Sequence, residues 1–237
     1  MLISVVIPCY NEEKVIAACL TALVNQITSY SFEVVVINNN STDQSAEIIK
    51  RFQDILNLKI IQQKKKGRGP ARKTGFEYAK SDIILSTDAD TIVPINWIDT
   101  LVNNLILNKN IAVTGSSKIV DCGWFANTIF NFIQPISMKF YRIFMGHYWL
   151  SGFSFGIYKN IYKKSGGFDE NINGLEDIDL SFKVSKIGII KYIPDIPVIF
   201  SGRRFSKGLF KGMFSYVYLF IVYLLFRKKQ IFLADVR

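Results

Sequence analysis

Four short apolar runs rich in valine and isoleucine, at 2–7, 32–37, 58–62 and 82–86, recur through the first ninety residues. Helical patterns separate them, over about 12–26, from the polar run 38–43 through about 52, and over 70–79. A strand that is apolar at every position must be covered on both faces, and helices between successive strands supply that cover. The arrangement that satisfies both demands is an α/β fold with a mostly parallel central sheet and helices on both faces. With 237 residues the chain can build one such domain with a full core, and two would be cramped. Ligands of these sheets bind beyond the carboxyl ends of the strands, and the polar clusters below fall there.

The segment 85–94, LSTDADTIVP, follows the run at 82–86 and carries Asp88 and Asp90 two residues apart. Side chains at i and i+2 of extended backbone share one side, so the carboxylates converge and repel unless a cation lies between them. Hard oxygen ligands of this kind suit Mg²⁺ or Mn²⁺, which keeps waters and recruits substrate phosphate oxygens. An isolated D-x-D is also a common solvated turn; its place after a buried strand favours the metal.

In KKKGRGPARKTG (64–75), glycines allow close backbone approach and Pro70 at a helix start would aim N–H groups at an anion beside Arg68 and Arg72. A phosphate site, a nucleic-acid patch and a solvated basic loop all fit it. In NNNSTDQS (38–45), Ser41 and Gln44 form a capping box for the next helix, while Asn38 and Asn39 could read a nucleobase edge. In PCYNEE (8–13), Tyr10 could stack on a base and Asn11 could cap a helix. In SGGFDENINGLEDIDL (165–180), Glu176, Asp177 and Asp179 crowd a helix start, either as plain dipole partners or as a general base whose proton affinity like charges raise. Arg203 and Arg204, in SGRRF (201–205), could balance a diphosphate leaving group or pair at the surface.

The net charge of +10 suits polyanionic partners without choosing among nucleic acid, nucleotide phosphates and an anionic membrane. Three cysteines, odd in number and without metal spacing, fit a reducing compartment. The apolar start stops at Pro8, too soon for a signal peptide, so the catalytic part is expected in the cytoplasm. Residues 124–150 carry nine aromatics, scattered basic residues and Pro135. They suit a helix lying on a membrane or a hydrophobic acceptor, or else an aromatic core. The only histidine, His147, belongs with these aromatics rather than with a metal. Residues 212–226 are the most apolar run, too short for a comfortable crossing and closed by Arg227, Lys228 and Lys229, so interfacial attachment is expected. The chain thus divides into a domain at 1–205 and a hydrophobic, basic-flanked helical tail at 206–237.

Taken together and in order, VVIPCYNEE, VVVINNNSTD, GPARKTGFEYAKSDIILSTDADT, SGGFDENINGLEDIDL and SGRRF resemble the family 2 glycosyltransferases of the GT-A fold over about residues 2–205. The resemblance implies an inverting transferase that takes a sugar from a nucleotide-diphosphate donor, with Mn²⁺ or Mg²⁺ and a single base. Carried over by position, Pro8, Tyr10 and Glu12 border the nucleoside, Asn38 holds the base edge, and Arg72 lies near base or phosphates. Asp88 approaches the ribose and the metal-bound phosphate, Asp90 ligates the metal, and Asp177 is the base with Glu176 in support. Many members carry Asp where this chain has Asn38; Asn both donates and accepts, so uridine is the expected but not the required base. The implied partners are a nucleotide-sugar donor, a glycan or lipid-linked acceptor and the cytoplasmic side of a membrane, without nucleic acid. Two other classes predict different outcomes: a nucleotidyltransferase releases pyrophosphate, and a nucleic-acid-binding module binds with steep salt dependence and needs no metal.

Overall fold

The computed structural model describes residues 1–107, 110–205 and 208–226. In chain order it contains β1 (Leu2–Cys9), α1 (Ile16–Val24), β2 (Ser31–Asn38), α2 (Ser45–Lys50), β3 (Leu58–Gln62), α3 (Arg68–Tyr78), β4 (Ile83–Ser86) and β5 (Thr91–Ile92). There follow α4 (Trp97–Ile106), β6 (Ala112–Lys118), α5 (Trp124–Met145), β7 (Phe155–Tyr158), α6 (Lys159–Lys164), α7 (Glu176–Ser185), β8 (Ile190–Phe200), a 3₁₀ turn (Gly202–Phe205) and α8 (Leu209–Phe226). The strands form one sheet in the order β3-β2-β1-β4-β7-β6-β8-β5. β3, β2, β1 and β4 pair in parallel, and β8 is parallel to β6. β7 runs against both β4 and β6, and the short β5 runs against β8, so the sheet is mixed but mostly parallel.

The unbroken apolar runs are explained by two cores. Ile3, Val5 and Ile7 of β1, with Val34 and Val36 of β2 and Ile83 and Leu85 of β4, pack on one face with α1 and α4. The alternate residues Val6, Val35, Ile37 and Ile84 pack on the other face with Phe76 of α3 and Leu180 and Val184 of α7. Period-two alternation persists, but both phases are buried. The expected helix at 12–26 begins only at Ile16, because residues 11–15 form turns led by Asn11 in the left-handed region at φ 50.

The aromatic segment is one 22-residue helix, α5, which continues through Pro135 and ends at Gly146 in the left-handed conformation. Within it only Gln134 and Met138 are buried, so the alternative of an ordinary aromatic core is corrected: most of its aromatics line a cleft or face outward. The hydrophobic run near the C-terminus is helix α8, and no helix among the described residues is long and apolar enough to cross a membrane. α8 is not a detached appendage. Tyr223 donates its hydroxyl to Asp179 at 2.9 Å and stacks on Phe182, and Phe220 meets Tyr141 of α5 at 5.5 Å. The basic trio Arg227, Lys228 and Lys229 lies outside the described residues.

Candidate active site

The loops after β1 and β2 are tied by reciprocal hydrogen bonds. Asn11 N–H donates to Ser41 Oγ and Thr42 N–H returns to Asn11 Oδ1; Glu13 N–H donates to Asp43 Oδ2 and Gln44 N–H to Glu13 Oε2. Glu12 N–H donates to Ser45 Oγ at 2.7 Å, which fixes Glu12 at the strand ends. Ser41 and Gln44 therefore brace a neighbouring loop instead of forming the expected capping box, and Asn11 serves the brace rather than a helix cap. These bonds hold Asp43 low: burial alone would raise its carboxyl, and Ser45 and the Glu13 N–H outweigh that.

The N–H groups at the start of α3 are also taken. Gly67 N–H donates to Asn39 Oδ1 and Arg68 N–H to Asn173 Oδ1, at 2.7 and 2.6 Å. The N–H groups of Gly67 and Arg68, expected to cradle an anion, thus meet two asparagines, and Lys65 and Lys73 pair with Glu170. Asn39 and Asn40 also clamp the carbonyls of residues 63–65. Asn38 is buried at the end of β2, where its Oδ1 accepts the Ser41 N–H at 3.0 Å.

Two arginines then bridge two groups of acids. Arg72, buried, donates to Asp88 Oδ1 at 2.6 Å, Glu176 Oε1 at 3.2 Å, Ser86 Oγ at 2.7 Å and the Gly152 carbonyl at 3.1 Å. Expected near base or phosphates, it is spent on protein partners, and its reach to a diphosphate runs through Asp88. Glu176 turns its other oxygen to the N–H groups of Gly174 and Leu175. Asp177, at the start of α7, accepts N–H bonds from Gly152 at 3.1 Å and Ile178 at 2.8 Å. Burial pushes the Asp177 carboxyl up and Glu176 adds to the push; Arg72 and the two N–H bonds pull back, and the balance lies at about 6.

Across the cleft, Arg203 holds Glu12 with two bonds of 2.7 Å and Asp90 Oδ2 with a third of 2.7 Å. Burial raises the Asp90 carboxyl, Asp88 raises it further and Arg203 lowers it, leaving it at about 6. Asp88 Oδ2 and Asp90 Oδ1 accept no hydrogen bond from the described residues. That fits a divalent cation: two hard oxygens beside a carboxylate whose neighbours leave it short of positive charge, with phosphates and water to complete the shell. Among the described residues no three acids, histidines or cysteines stand preassembled around such an ion.

Pro8, Tyr10, Glu12, Arg72, Asp88, Asp90, Glu176, Asp177, Arg203 and Arg204 all line one cleft of about 870 Å³; Asn38 does not, while Asn39 does. Lys66 lies over the Tyr10 ring at 5.9 Å. His147 packs edge-on against Tyr141 and Phe182, as expected of an aromatic partner. Cys9, Cys19 and Cys122 are all free thiols. Sequence reasoning missed Gly152, whose carbonyl and N–H sit between Arg72 and Asp177. A Cβ there would lie 2.4 Å from an Arg72 nitrogen and 3.2 Å from Asp177 Oδ2. It also missed Ser86, although a lone hydroxyl ending an apolar strand was a usable signal.

The model of the family described as Glycosyl transferase family 2 matches residues 4–165. The chain is 29% identical over 208 residues to the probable glycosyltransferase YdaM of Bacillus subtilis, covering 81% of this chain and 49% of that protein. It is 31% identical over 138 residues to a chondroitin synthase of Escherichia coli, covering 57% and 20%. The chain thus spans about half, or less, of the length of these relatives. Among solved structures, S. aureus TarS in complex with UDP-GlcNAc matches with a TM-score of 0.68 at 22% identity, covering 85% of this chain and 58% of that one. The mannosyltransferase PcManGT from Pyrobaculum calidifontis, in complex with GDP-Man and Mn²⁺, matches with a TM-score of 0.66 at 22% identity, covering 83% and 56%. Likeness at that identity shows a shared fold.

Proposed function

The chain belongs to glycosyl transferase family 2, and on that premise we propose that it is an inverting transferase moving a sugar from a nucleotide-diphosphate donor to an acceptor hydroxyl. The observation that carries the reading is the cleft that brings Asp88, Asp90 and Asp177 together, with Arg72 joining Asp88 to Glu176 and Arg203 joining Asp90 to Glu12. The donor's diphosphate faces Asp88, Asp90 and the arginines of the 3₁₀ turn, and its nucleoside lies along Pro8 and Tyr10. A divalent ion, Mn²⁺ or Mg²⁺, held by Asp88 and Asp90 would neutralise the diphosphate and favour its departure.

The acceptor oxygen attacks the anomeric carbon from the Asp177 side. The bond from that carbon to the diphosphate breaks with its electron pair leaving on phosphate, and the hydroxyl proton passes to the Asp177 carboxylate. A base with a pKa near 6 is ionised at neutral pH yet accepts a proton better than an ordinary aspartate. Glu176 and Arg72 hold it in place through α7 and Gly152. Asn38 is buried outside the cleft, with its amide oxygen accepting the Ser41 N–H, so it offers no basis for choosing the base. A uridine donor is therefore preferred on resemblance alone.

The acceptor is read as lipid-linked or membrane-proximal. Phe214, Val217, Tyr218, Ile221 and Leu225 of α8 are exposed at a spacing of three and four, which makes one apolar stripe, and Phe140, Ile143 and Phe144 of α5 are exposed as well. Together they support attachment at the cytoplasmic face of a membrane. The test incubates the full chain with UDP- and GDP-sugars and Mn²⁺ and assays nucleoside diphosphate and pyrophosphate separately. Release of the diphosphate is expected; pyrophosphate alone, or no binding of any nucleotide sugar, would overturn the reading. Flotation with vesicles containing anionic lipid tests the attachment, and a chain left wholly at the bottom of the gradient would refute it.

A further inference from the structure

Three residues that line the cleft carry buried polar atoms with no hydrogen-bond partner among the described residues: Ser117 Oγ of β6, and both amide atoms of Gln134 and the hydroxyl of Tyr141 in α5. Gln134 is 7% exposed and Ser117 3%. A buried polar atom without a partner costs about 1–3 kcal/mol, and native proteins rarely leave several around one cavity. The Tyr141 phenol is pushed above its usual range by burial and then by the nearby Asp177 carboxylate, so it stays a donor at neutral pH. Tyr141 is thereby placed near Asp177, where the attacking hydroxyl must lie, and Ser117 and Gln134 line the same cleft.

We propose that Ser117, Gln134 and Tyr141 form a subsite for a neutral, hydroxyl-bearing sugar of the acceptor, whose apolar aglycone leaves between α5 and α8. This rests on the transferase reading above and names the acceptor's chemical class. An amide and two hydroxyls offer both donors and acceptors and no charge. A sugar's hydroxyls match that set, whereas a phosphate, which only accepts, would leave the amide oxygen unmet and find no cation among the three. Beyond them the same cleft is walled by Phe140, Phe144, Trp149, Val217 and Phe220. Aromatic faces suit the C–H face of a sugar ring, and Phe140, Phe144 and Val217 continue onto the exposed surface, which suits an alkyl or isoprenoid chain.

The experiment uses the full chain and three probes below their critical micelle concentrations: n-octyl β-D-glucopyranoside, n-octyl phosphate and 1-octanol. Binding is read by calorimetry for wild type, Gln134→Leu and Tyr141→Phe, and UDP-GlcNAc and GDP-mannose binding with Mn²⁺ is read separately. Wild type should bind the glucoside about tenfold more tightly than either other probe. Gln134→Leu should lose about 3- to 10-fold of glucoside affinity, the worth of one or two neutral hydrogen bonds, with nucleotide-sugar binding unchanged. It should melt no lower than wild type, because an apolar side chain replaces an orphaned amide. Equal glucoside affinity in Gln134→Leu, a preference for octyl phosphate, or a lowered melting point would overturn the subsite; should Gln134→Leu not fold, Tyr141→Phe is read by the same criteria. Glucoside selectivity in a chain that binds no nucleotide sugar would support the subsite while sinking the transferase reading.

Discussion

Each wall of the cleft holds acids around one arginine, and the two arginines are held differently. Arg72 has a side chain 3% exposed and meets four protein groups, two of them carboxylates. Arg203 has a side chain 29% exposed and sits on a short 3₁₀ turn, joined to Glu12 and Asp90. One cation is sealed into the core beneath α7 and joins Asp88 to Glu176, and the other stands at the rim and joins Asp90 to Glu12. On the proposed reading the buried bridge fixes the base, whereas the rim bridge would be exchanged when a divalent ion and a diphosphate bind.

The largest expected effect is at the base. Asp177→Asn should lower nucleoside diphosphate release to acceptor about 10³-fold while donor affinity, measured by titration, stays at the wild-type value. In the unaltered chain that rate should fall about tenfold per pH unit below about 6, because the carboxylate must be ionised to take the proton. A flat profile between pH 5 and 7 would remove Asp177 from the role. Next comes Arg72→Met, which leaves the buried Glu176 and the half-buried Asp88 without their cation and should destabilise the fold by about 3 kcal/mol in denaturant unfolding. Gly152→Ala drives a methyl against Arg72 and Asp177 and should cost about 1–3 kcal/mol, with transfer lowered more than donor binding.

The smallest stability effect should be that of Arg203→Met, about 1–2 kcal/mol: the arginine itself is partly solvated, although its removal leaves Glu12 and Asp90, both largely buried, without their cation. Its signature lies elsewhere. Removing a cation that competes for Asp90 should tighten Mn²⁺ binding in the absence of donor, read by calorimetry, while weakening nucleotide-sugar affinity. If Arg203→Met destabilises the chain as much as Arg72→Met, the two bridges are equivalent and the contrast between fixed and exchangeable cation is lost.

Legibility follows the range of the interaction. The strands at 2–7, 32–37, 58–62 and 82–86 are visible because double burial writes itself into consecutive residues, and Asp88 and Asp90 are visible because a strand end aims both to one side. The capping box at Ser41 and Gln44 was misplaced because the Ser41 hydroxyl and the Gln44 backbone N–H are claimed by a loop about 30 residues away. Gly152 carries no local mark; its need for an absent side chain arises only when α3 and α7 bring Arg72 and Asp177 to its two sides. The pairing of Arg203 with Glu12 spans 191 positions, and nothing near either residue announces it.

By itself the sequence determined the layered α/β architecture, the end of the sheet where chemistry sits and the residue types available there, because burial periodicity and strand-end geometry are short-range properties. Tertiary structure alone decided which arginine serves which acids, that Asp177 has its proton affinity raised by burial and by Glu176, and that α5 and α8 share a wall of the cleft. Those outcomes depend on desolvation and on charges brought together from distant parts of the chain, and neither exists until the fold has closed.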